Sequence, residues 1–232
     1  MLKPTTMTPE MKYMYLKSHP LFSQLTDQKI QDACHLVRVK TLQRAQTIGY
    51  GEAGFSKIYL LIKGKIKITE LSDADNELVK DILTAPDVFG DLGLDGQYAM
   101  DESAEALTSN TFLCSFNVND FKQLLQENTL LALSYANIVN NKLRKLQGRH
   151  SDLVFRDAKS RLIRFIQNWA RTDGNRIGDK IVLHNYLTHS DIAGVIATSR
   201  QSVNVLFNEL RDAGLLFYNR QRIELNDPIV WN

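Results

Sequence analysis

Two cysteines are all that the 232 residues contain, Cys34 and Cys114, far apart and without a CxxC spacing. An iron–sulfur cluster draws on four thiolates and a structural zinc site on four closely spaced ligands, so neither is expected. Isolated thiols of this kind read as small buried hydrophobes. Histidine is also scarce. His19, His35, His150, His184 and His189 all lie outside the strand-like stretch from Val39 to Val118, which excludes the clustered ligands of a cupin-type metal barrel. No nucleophile–base–orienter set and no glycine–lysine phosphate loop is present, so catalysis is not expected. No apolar run approaches the length of a membrane span. The polar, threonine-rich segment Met1 to Glu10 lacks a secretory signal, which leaves the cytoplasm. A net charge of +2 is too small to argue for nucleic acid by itself; any such case rests on where the charges lie.

What is present is an ordinary globular composition, 44% hydrophobic and 23% charged, arranged in three regimes of periodicity. From Met7 to about Val37 the pattern is helical, with a turn at Pro20. Thr26-Asp27 offers an N-cap for a short helix carrying Ile30, Ala33 and Leu36. From Val39 to Val118 the pattern is that of strands. Ile58 to Ile62 is an apolar run, Lys63-Gly64 a turn, and Lys65 to Thr69 alternates as a half-exposed strand would. Thr111 to Phe116 continues it, with bends at Gly49, Gly51, Gly54, Gly90, Gly93 and Gly96. Many short strands with glycine turns imply a small barrel or sandwich.

Helices return at Asn119-Asp120, a cap for a helix with Phe121, Leu124 and Leu125. A longer helix is expected over 130–153. Within it Ala132, Ala136, Val139, Leu143, Leu146, His150 and Leu153 step alternately by four and three, the a/d seam of a two-stranded coiled coil. Asp152 to Phe155 reads as a hinge, Ala158 to Trp169 as an amphipathic helix, and Arg171 to Lys180 as a loop. The expected domains are therefore 1–129, 130–153 and 154–232.

The segment Leu187 to Leu216 is the most informative. Thr188 with Asp191 forms a capping box, and Ile192, Ala193 and Ile196 give the inner face of a two-turn helix. Thr198-Ser199 caps a second helix with inner residues Val203, Leu206 and Leu210, ended by Gly214. Two short helices across a tight turn make a bihelical major-groove reader. Arg200, Gln201 and Asn204 on the outer face carry the forked polar groups that read base edges, and Ser199 and Ser202 can bond phosphates. The run after Gly214 reads as a hairpin with Arg220 and Arg222 near its tip, a wing along the DNA backbone.

With Tyr59 to Gly64, Phe89 to Leu94, Phe121 to Leu125 and Leu187 to Leu216 together, nearly the whole chain resembles the cyclic-AMP receptor protein / fumarate-nitrate regulator family of bacterial transcription factors. The resemblance implies an α+β chain: a jelly-roll-like β-roll, a long dimerisation helix and a C-terminal winged helix-turn-helix. It also implies a homodimer on twofold-symmetric double-stranded DNA, with RNA polymerase as a further partner and no membrane association. The departures lie in the effector pocket (Gly90, Asp91, Leu92, Glu102, Ser103). Asp91 replaces the glutamate that holds the ribose, and Glu102 stands where an arginine holds the cyclic phosphate. No Lys or Arg occurs between Lys80 and Lys122, whereas Asp87, Asp91, Asp95, Asp101, Glu102 and Glu105 do. Carboxylates there would repel a buried phosphate. Leu146 and Gln147 take the place of the purine-contacting pair. The cysteine cluster of the iron–sulfur members and a haem-ligating histidine within the roll are both missing, so no cofactor is expected and the effector has no chemical signature. Gln201 replaces a glutamate and Val205 a second recognition arginine, which implies a different operator. The expected function is a dimeric regulator not gated by cyclic AMP. The alternatives are a ligand-gated member of the same family, or a cyclic-nucleotide module acting through protein partners.

Overall fold

Residues 8–49, 57–71, 77–95 and 102–226 are described by a computed structural model. The chain divides into two compact units, Met1–Arg144 and Lys145–Asn232.

The first unit opens with helix α1 (Pro9–Ser18), a 3-10 turn at Pro20–Phe22 and α2 (Asp27–Cys34). Thr26 occupies the N-cap position of α2, but its side chain makes no capping bond. Eight strands follow: β1 (Arg38–Leu42), β2 (Thr47–Ile48), β3 (Lys57–Lys63), β4 (Lys65–Leu71), β5 (Glu77–Thr84), β6 (Asp87–Gly90), β7 (Glu102–Ala106) and β8 (Thr111–Asn117). They form two antiparallel sheets, ordered β1-β8-β3-β6 and β2-β7-β4-β5. Of the two forms expected, barrel or sandwich, two separate sheets make the sandwich.

The apolar run on β3 has its reason in this order. Ile58 and Leu60 pack with Leu16, Phe22, Ile30, Phe116 and Phe121 against the helices. Leu61 belongs instead to the inter-sheet core with Ile66, Leu83, Phe89 and Leu113. A central strand covered on both faces cannot afford polar positions. The half-exposed reading of β4 needs correction, because Lys67 and Thr69 are both buried. Lys67 survives burial by pairing with Glu105 at 3.0 Å and Glu77 at 3.4 Å, and the Thr69 hydroxyl bonds that of Ser103 at 2.9 Å. Buried polar groups persist when partnered in this way.

Cys34 and Cys114 are free and buried in the helix-side core, and burial, with Cys34 nearby, pushes the Cys114 thiol up to about 12. Helix α3 (Val118–Glu127) begins earlier than expected: its cap is Asn117, which accepts from the Asn119 amide at 2.9 Å, rather than Asn119 or Asp120. Helix α4 runs from Thr129 to Phe155. The hinge is correspondingly shorter than Asp152 to Phe155, since those residues are helical and only Arg156 and Asp157 separate α4 from α5 (Ala158–Asp173).

In the second unit the stretch expected as a loop contains a strand. β9 (Asn175–Ile177) pairs with β10 (Lys180–His184) around Gly178, whose φ of +60° permits the tight reversal. After α6 (His189–Val195) and α7 (Arg200–Asp212), strands β11 (Leu216–Tyr218) and β12 (Arg222–Leu225) complete a sheet ordered β11-β12-β10-β9.

Two outcomes follow from the first unit. Gly90 has a φ of +101°, and a Cβ there would meet the Lys57 carbonyl oxygen at 2.2 Å. Gly90→Ala should lower stability by about 3 kcal/mol, read as a shift of the urea midpoint. His19 accepts from the Leu21 amide at 3.2 Å, its other ring nitrogen is 3.3 Å from the Asp87 carbonyl, and burial lowers its pKa. The folded imidazole binds a proton less readily than the unfolded one, so unfolding takes up protons. Its contribution is complete above the unfolded pKa of about 6.5 and lost as pH falls below it. Urea midpoints at pH 7.5 and 5.5 should differ more in the wild type than in His19→Gln.

Candidate nucleic-acid interface

Helix α6 has only seven residues, too few to hold itself in water. Its N-terminus is closed by the expected capping box: Thr188 Oγ1 accepts from the Asp191 amide at 3.1 Å, and the Asp191 carboxylate accepts from the Thr188 amide at 2.8 Å. The Thr188 hydroxyl also donates to Asp191 at 2.7 Å, so it is committed to the cap. Ile192, Ala193 and Ile196 are buried as expected. The C-terminal end is secured by a residue that the sequence reading missed. Arg161, on α5, donates to the carbonyls of Ile196 at 2.8 Å and Ala197 at 3.1 Å, and to that of Arg156 at 2.7 Å. A guanidinium satisfies several orphan helix-end acceptors at once, and its charge complements the helix dipole. Ala197 adopts φ +51° at the turn, a left-handed conformation that Arg161 helps to hold.

Helix α7 is capped by Ser199 alone, which accepts from the Ser202 amide at 3.0 Å; Thr198 lies outside the cap. The two serine hydroxyls are 2.8 Å apart. One hydroxyl bond between them leaves one of the two protons available to a further acceptor. The inner face is Val203, Phe207 and Leu210; Leu206, expected there, is only partly buried. Phe207 takes its place, packed against the rings of His189 and Tyr218. Arg200, Gln201 and Asn204 are exposed together on the outer side, and Ser202 lies between them, partly buried. The C-terminus is a Schellman motif: the Leu215 amide donates to Leu210 at 3.0 Å and the Gly214 amide to Arg211 at 2.9 Å, with Gly214 at φ +71°.

The hairpin also forms. Asn219 shapes its tip, accepting from the amides of Gln221 and Arg222. Arg220 is exposed there without an ion pair among the described residues, whereas Arg222 reaches Glu224 at 2.7 Å. His189, not singled out from sequence, joins helix and hairpin. Its ring stacks on Phe207 at 5.0 Å and lies 5.6 Å from Tyr218, and burial, then the Arg200 charge, lower its pKa. No spacing rule would have marked it, because the contact depends on the hairpin folding back.

The residues of the expected effector pocket are occupied with structural bonds. Asp91 is buried after β6; its carboxylate accepts from the Leu94 amide at 3.0 Å and its amide donates to Lys57. The Leu92 carbonyl accepts from Tyr135 at 2.8 Å. Glu102 is paired with Lys80, which also reaches Glu70 at 2.7 Å, and Ser103 is the partner of Thr69. Asp87 pairs with Lys142 at 2.6 Å. The acidic residues thus draw cations from neighbouring strands and from α4. Residues 96–101 of the acidic loop lie outside the described residues. Along α4, Ala136 and His150 are exposed, Leu143 and Leu146 are 50% and 62% exposed, and Val139 leans on the chain's own core. Among the described residues no helix is long and apolar enough to cross a membrane.

A two-sheet roll and a four-stranded wing carrying a capped bihelical unit define a DNA-binding regulator. Comparison with known proteins agrees. The family model described as a cyclic nucleotide-binding domain matches residues 39–128, and that of the Crp-like helix-turn-helix domain matches residues 160–229. The chain belongs to the CRP/FNR family of transcription regulators and is not an enzyme. It is 26% identical over 193 residues to the global nitrogen regulator of Nostoc sp., covering 83% of this chain and 86% of that protein. It is 25% identical over 206 residues to the anaerobic regulatory protein of Bacillus subtilis, covering 87% and 85%. The fold is shared with the c-di-GMP responsive global regulator CLP of Xanthomonas campestris, at TM-score 0.73 and 16% identity, covering 86% and 99%.

Arg161→Ala should destabilise the second unit by about 2 kcal/mol, because it leaves helix-end carbonyls without their charged donor. Urea unfolding followed by the fluorescence of buried Trp169 would show it. An unchanged midpoint would mean that water replaces the guanidinium at no cost.

Proposed function

We propose that this chain acts in the cytoplasm as a homodimer that binds palindromic operators through α7 without a requirement for cyclic AMP. One observation carries the reading: Arg200, Gln201 and Asn204 share the exposed side of a helix whose other side is fixed in the core. Arginine reads guanine, and glutamine or asparagine reads adenine, by paired hydrogen bonds in the major groove. Ser199 and Ser202 supply a hydroxyl donor to a phosphate, Arg220 and Arg222 follow the backbone as a wing, and Thr188 acts by fixing α6. In this reading 1–129 is the sensor unit, 130–153 the dimerisation helix and 154–232 the DNA-binding unit, with Ala136, Val139, Leu143, Leu146 and His150 as the seam. The exposure of Leu143 and Leu146 supports a partner there. RNA polymerase is the partner expected of a regulator seated on a promoter. The ungated character rests on Glu102 and Asp91, a carboxylate pair where a phosphate and a ribose would need a cation and a longer acid.

Selection of bound sequences from random duplex DNA, with no ligand added, should enrich a palindrome with half-sites about 34 Å apart, one helical turn. Arg200→Ala should cost about 1–3 kcal/mol of discrimination at one base pair of each half-site. Millimolar cyclic AMP should leave the operator affinity unchanged. Enrichment of no motif would defeat the reading, and a motif that emerges only with cyclic AMP would defeat its ungated part.

A further inference from the structure

Among the described residues of the β-roll, Glu70, Glu77, Asp87, Glu102 and Glu105 are paired with lysines, whereas the second unit has a cleft where cations outnumber acids. It lies between the end of α4 and α5, on either side of the Arg156–Asp157 junction. One part, of about 430 Å³, is lined by Arg156, Arg164 and Arg171 with the amides of Gln167 and Asn168. An adjoining part, of about 390 Å³, shares Arg156 and Arg164 and adds Asp152 and the ring of Phe155. Phe155 is 84% exposed, an unusual state for a large aromatic side chain. Asp152 is the one acid in the lining, and it already bridges Arg156 at 2.9 Å and Arg164 at 3.2 Å. Arg171 has no ion pair among the described residues. Three guanidiniums against one carboxylate leave an excess of positive charge.

Helical spacing decides what can reach this cleft. On α5 the buried residues are Leu162, Ile166, Trp169 and Ala170, and α5 packs on α7 and β10. Arg164 and Arg171 lie on the opposite side of the helix, turned away from α7 and therefore from DNA seated on it. On α4 the lining residues Gly148, Ser151, Asp152 and Phe155 are opposite Leu146, His150 and Leu153, so a partner helix on that seam leaves the cleft open. Neither operator DNA nor the second copy fills it through those surfaces.

We propose that this cleft binds a small phosphorylated ligand of the nucleotide class. Arg156, Arg164 and Arg171 hold the phosphates by charge-assisted bonds, Gln167 and Asn168 bond the polar edges, and the base stacks on Phe155. Asp152 is the internal competitor that the phosphates displace. Either part alone falls in the volume range of small-molecule sites. The site depends on none of the residues assigned to DNA, so operator selection on the same samples separates its failure from a failure of the regulatory reading.

The test is calorimetric titration of the full-length protein with adenosine triphosphate and, separately, with inorganic triphosphate. Adenosine triphosphate should bind saturably, and Arg164→Ala with Arg171→Ala should weaken it by about tenfold or more while the melting curve stays two-state. Asp152→Asn should tighten both ligands, by releasing two guanidiniums. Phe155→Ala should weaken the nucleotide and spare the inorganic ion. No saturable heat up to about 1 mM, a Kd at which binding is already weak, overturns the site. So does binding that survives the double arginine variant, or that Asp152→Asn weakens. Equal affinity for both ligands, indifferent to Phe155→Ala, overturns the nucleotide class and leaves inorganic polyphosphate as the ligand.

Discussion

The placement of α7 depends on a contact made elsewhere, the Arg161 guanidinium on the carbonyls of Ile196 and Ala197. A seven-residue helix and a left-handed alanine do not set a crossing angle by themselves. The capping box fixes one end of α6, and a side chain from α5 fixes the other. With both ends held, the buried faces of α6 and α7 meet, and Arg200, Gln201 and Asn204 are presented at a defined angle. His189, Phe207 and Tyr218 extend that constraint into the hairpin, so helix and wing are positioned together.

The same rule of compensation shapes the β-roll in the opposite sense. Family members that hold a cyclic nucleotide place a cation in this pocket to meet a phosphate. Here Glu102 on β7 is met by Lys80 of β5, reaching across β4, and Glu105 is met by Lys67 of β4 itself. A ligand phosphate would have to separate these pairs, and breaking a partly buried ion pair leaves an uncompensated charge. Among the described residues, Glu102 and Glu105 therefore already have their counter-charges.

The two-sheet roll, the long helix and the bihelical unit were legible in the sequence because each rests on periodicity and caps, which are local. Thr188, Asp191, Ser199 and Gly214 act over three or four residues, and their bonds formed as their spacing required. What escaped depends on distant partners. Lys67 read as exposed because its counter-charges lie on β5 and β7. Phe207 replaced Leu206 on the inner face because the turn fixes the phase of α7, and β9 looked like a loop because three polar-edged residues carry too little alternation. Arg161 and His189 gave no signal at all, since their partners come from elements 30 or more residues away in Arg161's case and from a folded-back hairpin in the other.

Charge distribution follows from these local solutions. From Lys145 onward the chain has 13 Lys and Arg against 9 Asp and Glu, which leaves 15 against 17 before it. The net +2 thus hides a slightly acidic first unit and a basic second one. In the first, Lys67, Lys80 and Lys142 are bound to carboxylates of the roll. In the second, Arg161 is consumed by backbone carbonyls, and Arg200, Arg171 and Arg220 face solvent with no ion pair among the described residues. Cations held by internal carboxylates stabilise a fold; cations left exposed beside amides and aromatic rings are available to anions. Arg200 on α7, Arg220 on the hairpin and Arg171 on the far side of α5 are of the second kind.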